Sequence, residues 1–406
     1  MKIILLGNGF DLAHGLPTTY TNFLDFMKKI DPSYNKKYNI SLDPEIERLI
    51  NDPSKEISIN KIKQLCADNI WLTYFYERNY LYPNWCDFES EIEYITKNLE
   101  AIKKELETMR EAYSSKFHSY PSFNFLKLSI KNFFLSYICK TDLPKYNPIH
   151  FLRDRIPDYA NLTLGNNTFV IDKMINNYRS TSSFDSNTDV PFELLVDFIL
   201  QQLNSFTKCF ELYLSYFITE LNVQKISFIS NLVDSFSLKI LNFNYTNTIA
   251  IYKQLGSLNI CYIHGKACND DNNNLVLGIN ETENNIDPMF TRFRKYFQRF
   301  EKNCNYNYRD WIKDIKQNII SDPLPLGSAK HNLYIIGHSL TLNDKNILNE
   351  LITLPETTTT IYYHSDNSKL SLMQNLAAIL GSQKFTEYME ANAVKFVRAE
   401  FDKKLR

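Results

Sequence analysis

Four short segments of this 406-residue chain carry residue types suited to chemistry on a small polar ligand. The first runs Gly7-Asn8-Gly9-Phe10-Asp11-Leu12-Ala13-His14-Gly15-Leu16-Pro17-Thr18. Two glycines after an apolar run and ahead of a helical pattern let backbone N–H groups approach a phosphate. Leu12 stands where a dehydrogenase GxGxxG has its third glycine, and no Gly-Lys-Ser/Thr of a Walker A loop follows. The second segment, Leu241 to Asn247, offers in Asn244 an amide able to hold a water or a sugar hydroxyl, or else a strand-end cap. The third, Ile263-His264-Gly265, supplies a general base near neutral pH, or else a satisfied buried histidine. The fourth, Ile336-Gly337-His338-Ser339-Leu340 followed by Asp344, suits a second phosphate or sugar contact. Its plain alternative is a strand-to-helix turn with Asn343 or Asp344 as N-cap.

These residues need a scaffold that brings them together. Lys2 to Leu6 is a branched apolar run that reads as a buried strand of a parallel sheet. Tyr20, Phe23, Leu24 and Met27 then have helical spacing, so the opening predicts strand, glycine loop, helix. Strand signals return at 239–244, 260–264, 274–278, 331–337 and 358–364. Asn8, Asn244, His264, His338 and His364 fall at the ends of such runs, where open parallel sheets bind ligands. From 30 to 235 the period is helical. Trp85, Phe88, Ile92, Ile95, Leu99, Ile102, Leu106, Met109 and Tyr113 form an unbroken heptad stripe, a helix of roughly 40 Å. That stripe suits a bundle interior or a homo-oligomer contact. Further helices are expected at 124–140 and 190–222, the latter opening on Asp189 and Pro191, with a polar loop at 141–189. The predicted division is a core of 1–29 and 236–406 with a helical insertion of 30–235.

Composition narrows the function. Forty-five basic and 46 acidic side chains leave a net charge of −1, which argues against general nucleic-acid binding. Cys66, Cys86, Cys139, Cys209, Cys261, Cys268 and Cys304 form no CxxC, so neither a disulfide scaffold nor a four-thiolate zinc site is expected. No run approaches the roughly 20 apolar residues of a membrane span. The expected setting is cytoplasmic. Only ten glycines occur, where typical usage near 7% would give about 28, and three of them crowd into 7–15.

GNGFDLAHGLPTTY at 7–20, NWCDFE at 84–89, NFNYTNT at 242–248, YIHG at 262–265 and IIGHSLTLND at 335–344 together resemble the AbiH family of bacterial abortive-infection proteins. That pattern is in turn similar to the sirtuin fold, with its GAGxS…GIP loop, Asn-x-Asp, His-Gly and Gly-x-Ser. The resemblance implies an α/β fold: a sirtuin-like, Rossmann-type parallel sheet split by a large α-helical insertion. It also implies an antiphage effector that hydrolyses NAD to nicotinamide and ADP-ribose without a metal, with room for a phage-derived trigger. Gly7, Asn8, Gly9, Asp11, Gly15, Pro17 and Thr18 would then belong to the NAD loop that holds the diphosphate. His264 would act as base on a ribose hydroxyl or water, Asn244 would orient that water, and Gly265 completes the His-Gly pair. Gly337 and Ser339 match the later phosphate and ribose segment, and His338 and Asp344 would line the adenosine side. Three features depart from sirtuins. Asp11 replaces a small hydroxyl residue, Thr246 replaces the Asp of Asn-x-Asp, and the four-cysteine zinc module is absent. A catalytically silent nucleotide-binding sensor and a nuclease-type toxin are the alternatives.

Overall fold

The computed structural model describes residues 1–31, 34, 40–81, 87–117, 192–234, 237–279, 287–317, 324–328 and 330–399. In chain order the described elements are β1 (Lys2–Leu6), α1 (Asn8–Ala13), α2 (Tyr20–Ile30), α3 (Pro44–Ile50), α4 (Glu56–Cys66), α5 (Ile70–Leu81), α6 (Phe88–Phe117), α7 (Phe192–Tyr216) and α8 (Ser227–Val233). There follow β2 (Leu238–Asn242), β3 (Ile260–Tyr262), α9 (Lys295–Glu301), α10 (Asn307–Gln317), β4 (His331–Ile336), α11 (Lys345–Ile352), β5 (Thr357–Tyr363), α12 (Asp366–Leu380), α13 (Ser382–Glu390) and β6 (Val394–Arg398). The chain divides into two compact units. The first comprises Met1–Ala67, Thr207–Glu281 and Lys295–Arg406; the second comprises Asp68–Phe206 and Thr282–Arg294.

The first unit is built on a six-stranded parallel sheet in the order β3-β2-β1-β4-β5-β6. This is the order of doubly wound α/β sheets, which bind ligands at the carboxyl ends where the strand order reverses. β1 lies at that reversal, between β2 and β4. Its unbroken apolar run follows from burial on both faces. Ile3 and Leu5 join a core with Leu241, Leu333, Ile335 and Leu348, while Ile4 and Leu6 join one with Phe10, Ile229, Ile240 and Ile336. α2 starts at a capping box in which Thr19 and Asn22 satisfy one another's backbone amides. Its Phe23 and Phe26 rings pack on Phe210, Tyr213 and Phe217, which brings α2 against the carboxyl end of α7.

In the second unit Phe75, Phe88 and Phe206 form a ring cluster with centroids 4.4–5.1 Å apart. Trp71 Nε1 donates to the Ile199 carbonyl, and Asn69 Oδ1 caps α5 by accepting from the Trp71 and Leu72 amides. Phe88, Ile92, Ile95 and Leu99 are fully buried, so this part of the heptad stripe is core. Asp87 caps α6 through the Ser90 amide and hydroxyl. Trp85, the expected helix at 124–140, the loop at 141–189, and Asp189 and Pro191 lie outside the described residues, as do the side chains of Ile102, Leu106, Met109 and Tyr113.

The architecture differs from the sequence reading in three places. Residues 274–278 are not a strand. The Val276 amide donates to the His264 carbonyl, and Leu277 is bonded through both its amide and its carbonyl to the Gln298 side chain, so no ladder forms. α3, α4, α8 and the carboxyl end of α7 belong to the sheet unit, although they fall inside the 30–235 stretch read as an insertion. After α12 and α13, β6 extends the sheet beyond the last strand read from sequence.

Candidate functional site

At the end of β1 the glycines serve first to let two strand ends touch. The Gly7 amide donates to the Ile336 carbonyl at 3.0 Å and the Gly9 amide to the Gly337 carbonyl at 2.8 Å. Gly337 has φ +69°, and a Cβ there would lie 2.1 Å from the Phe10 nitrogen. The first and fourth motifs therefore pack backbone on backbone across the reversal point. Asn8 is exposed, and its Oδ1 accepts from the buried Thr18 hydroxyl at 2.7 Å. The Pro17 carbonyl accepts from Tyr213, and Gly15 turns the chain at φ +76°. His14 is structural: its two ring nitrogens bond the Phe10 carbonyl and the Tyr252 hydroxyl, both at 2.6 Å.

Beyond β2, Asn242 clamps the loop by accepting from the Asn244 amide and donating to the Thr246 carbonyl. The side chains that follow contact two different groups in alternation. Asn244, Thr246 and Thr248 turn to Asp11, which is 1% exposed. The Thr248 hydroxyl donates to that of Thr246, which donates to Asp11 Oδ2 at 2.5 Å. Asp11 Oδ1 is buried without a hydrogen-bond partner. Burial pushes this carboxyl up to about 6, against the lowering influence of the neighbouring Thr246, Thr248 and Asn244 side chains. Asp11 and Thr246, two of the three departures from the sirtuin pattern, are thus bonded to one another.

Phe243 and Tyr245 turn to the histidines. Phe243 stands edge-on to the His264 and His338 rings at centroid distances of 5.4 and 4.6 Å, and Tyr245 lies 6.3 Å from His264. Gly265 follows at φ +83°, where a Cβ would lie 1.7 Å from the Asn274 carbonyl oxygen. Asp344 unites the two rings: Oδ1 is 3.4 Å from His264 Nε2 and Oδ2 is 3.6 Å from His338 Nε2. The Lys295 ammonium lies 3.6 Å from Oδ1. Asp344 sits at the N-cap position of α11 but makes no capping bond; its carboxylate turns to the histidines instead. Burial alone would raise this carboxyl, but Lys295 and the imidazoles outweigh that and hold it well below the usual carboxylate range. The Leu340 amide donates to His338 Nδ1, which places the ring proton on Nε2, facing Asp344. Leu340 itself has φ +55°, a rare conformation for a branched residue beside a polar site. His264 Nδ1 is buried with no partner. Burial, then the Lys295 charge, push His264 down to about 3, so it is neutral at physiological pH.

The structure thus brings Asp11 to Asn244, and Asp344 and His338 to His264. Ser339 is exposed and uses its carbonyl to accept from Asn375, and the exposed His364 at the end of β5 has its amide bonded by Ser368. Sequence reasoning missed Asn242, Phe243, Lys295 and Arg299. The last two lie on a short helix whose Lys-x-x-Gln-Arg face reads as solvated and is in fact buried. A possible metal group among the described residues is Glu211, Cys268 and Asp270. The Lys208 ammonium lies beside it, 2.9 Å from Glu211 Oε2 and 2.8 and 2.5 Å from the Asp270 and Asn272 carbonyls, while Cys268 Sγ bonds Glu211 Oε1 and Asp270 Oδ2.

Residues 3–364 match the family model described as bacteriophage abortive infection AbiH. The chain belongs to the AbiH family. No curated protein and no solved structure matches it. AbiH membership points to a role in abortive infection of bacteriophage-infected cells. No helix of the described residues is long and apolar enough to cross a membrane.

Proposed function

We propose that this AbiH protein is an abortive-infection effector that hydrolyses NAD to nicotinamide and ADP-ribose at the carboxyl ends of β1 to β4. One observation carries the reading: His264 turns Nε2 to Asp344 while Nδ1 is buried and unpartnered. A buried ring nitrogen left open in this way is suited to a water or a ligand hydroxyl. The neutral ring offers Nδ1 as acceptor, while its Nε2 lies 3.4 Å from Asp344 Oδ1. In the reaction, the bond between ribose C1′ and the nicotinamide nitrogen breaks, and its electron pair leaves with neutral nicotinamide. Water adds to the oxocarbenium carbon and its proton passes to His264 Nδ1, then to solvent. The leaving group is already cationic, so position matters more than acid catalysis.

The Asp11–Thr246 bond supports the same reading. The carboxylate missing from Asn-x-Asp is supplied from α1, and the hydroxyl absent at 11 is supplied by Thr246. Asp11 Oδ1 is open to a ribose hydroxyl, with Asn244 beside it. The low basicity of His264 favours one second reading, a sensor that binds NAD without cleaving it.

The test is nicotinamide release and NAD level in expressing cells and with purified protein, using wild type, His264→Ala and Asn244→Ala. Both variants are expected to lose release. Undiminished NAD loss in His264→Ala would refute the assignment. Tight NAD binding without turnover, in infected-cell extract as well, would establish the sensor.

A further inference from the structure

α9 turns its charged face inward. Lys295, Gln298 and Arg299 are 3%, 5% and 8% exposed, while Phe300 on the same helix is 63% exposed. Amphipathic surface helices normally do the reverse. Gln298 is accounted for by its bonds to Leu277, and Lys302, one turn on, donates to the Leu275 carbonyl. Lys295 reaches Asp344, which it shares with two histidines. Arg299 has no carboxylate partner among the described residues, and its Nε is buried with no acceptor. A largely buried guanidinium whose Nε has no acceptor is incompletely satisfied, and an anion would complete it. The glycine loop cannot hold a polyanion with the amides of Gly7 and Gly9, which are committed to β4.

We infer that Arg299 and Lys295 form the anion subsite of the ligand pocket and take the diphosphate of a nucleotide, in place of the glycine loop. Planar guanidinium suits bidentate phosphate contact, and the neighbouring ammonium adds a point charge. This rests on the nucleotide reading above and moves its phosphate contact from 7–17 to α9. The arrangement has a chemical consequence. The charges of Lys295 and Arg299 are among the influences that depress His264. A bound diphosphate neutralises them, and the imidazole becomes a stronger base only when the ligand is in place.

The experiment measures binding of inorganic pyrophosphate, ADP-ribose and adenosine by calorimetry, for wild type, Arg299→Gln and Arg299→Lys, together with the melting temperature of each ligand-free protein. Arg299→Gln is expected to weaken ADP-ribose and pyrophosphate by about 10- to 100-fold, as for the loss of a charged hydrogen bond, and adenosine by less than about twofold. Arg299→Lys should recover part of the loss. The ligand-free Arg299→Gln protein should melt no lower than wild type, because an unpaired buried charge has been removed. Equal losses for adenosine and ADP-ribose, or a clear drop in melting temperature, would mean that Arg299 is structural and would overturn the inference. So would a wild type that binds none of the phosphate-bearing probes. Pyrophosphate binding lost in Arg299→Gln, with no NAD turnover by wild type, would uphold the subsite and remove the hydrolase.

Discussion

Replacing Asp11 by Asn should make the protein more stable at alkaline pH and less active. The carboxyl is 1% exposed and pushed from an ordinary 3.8 up to about 6 by burial, with one oxygen bonded to Thr246 and the other unpartnered. A folded-state value above the unfolded one means that the native state holds the proton more tightly. The stability gained from that proton is complete below about pH 4 and is lost as pH rises through about 6. A rise of about two units at about 1.4 kcal/mol each corresponds to about 3 kcal/mol that ionised Asp11 takes from the fold at pH 8. Asn keeps an oxygen for Thr246 and cannot ionise. In urea titrations at pH 8, Asp11→Asn should therefore exceed wild type by up to about 3 kcal/mol, a melting-point rise of roughly 5–10 °C. At pH 4 the two should be nearly equal. The same group should give the proposed NAD reaction an acid limb near pH 6, since ionised Asp11 keeps Oδ1 as a pure acceptor for a ribose hydroxyl while Oδ2 accepts from Thr246. A variant destabilised equally at pH 4 and pH 8 would show that Asp11 acts through packing, and would refute the reasoning.

Two further perturbations separate packing from chemistry. Asp344→Asn removes the anion that Lys295 and the two histidines share, so unfolding free energy should fall by about 1–3 kcal/mol, and a double-mutant cycle with Lys295→Met should show coupling between the two. Gly337→Ala and Gly265→Ala drive a methyl group into backbone atoms at 2.1 and 1.7 Å, whereas Gly15→Ala meets nothing within 4 Å. Thermal melts should show the first two severely destabilised and Gly15→Ala lowered by only the roughly 1–2 kcal/mol of its left-handed backbone; equal losses in all three would contradict the close-approach account.

What the sequence disclosed follows from how local each signal is. β1 and β2 are readable because a strand buried on both faces writes its burial into consecutive residues, β3 and β4 through shorter apolar runs, and β5, alternately buried, through its β-branched and aromatic residues. Residues 274–278 carry the same apolar signature, since Leu275, Val276 and Leu277 are equally buried, but their backbone is satisfied by Gln298 and His264. Apolar runs report burial and cannot distinguish a ladder from a side-chain partner. The motif residues were legible as polar groups at strand ends. Their pairing was not, because Asp11 with Thr246 is a contact across 235 positions and His264 with Asp344 one across 80. Asp344 is the instructive case. By sequence it is a helix N-cap, it does occupy that position, and it gives its side chain to the histidines instead.

The glycines carry the same lesson into function. A GxG after a first strand suggests phosphate chemistry, yet the amides of Gly7 and Gly9 are bonded to β4 and the missing Cβ atoms let Gly337 and His338 approach. Closing β1 on β4 in this way is what brings His338 to the site and holds the Gly337 turn. Under the proposed reading a polyanion is neutralised by something other than these amides, and among the described residues of the same unit Arg299 is a largely buried cation with an unsatisfied Nε. On the reading proposed above, the motif that looks like a phosphate loop instead holds the end of β1 against the turn after β4, and the charge for a diphosphate would come from Arg299, on a helix without any recognisable motif.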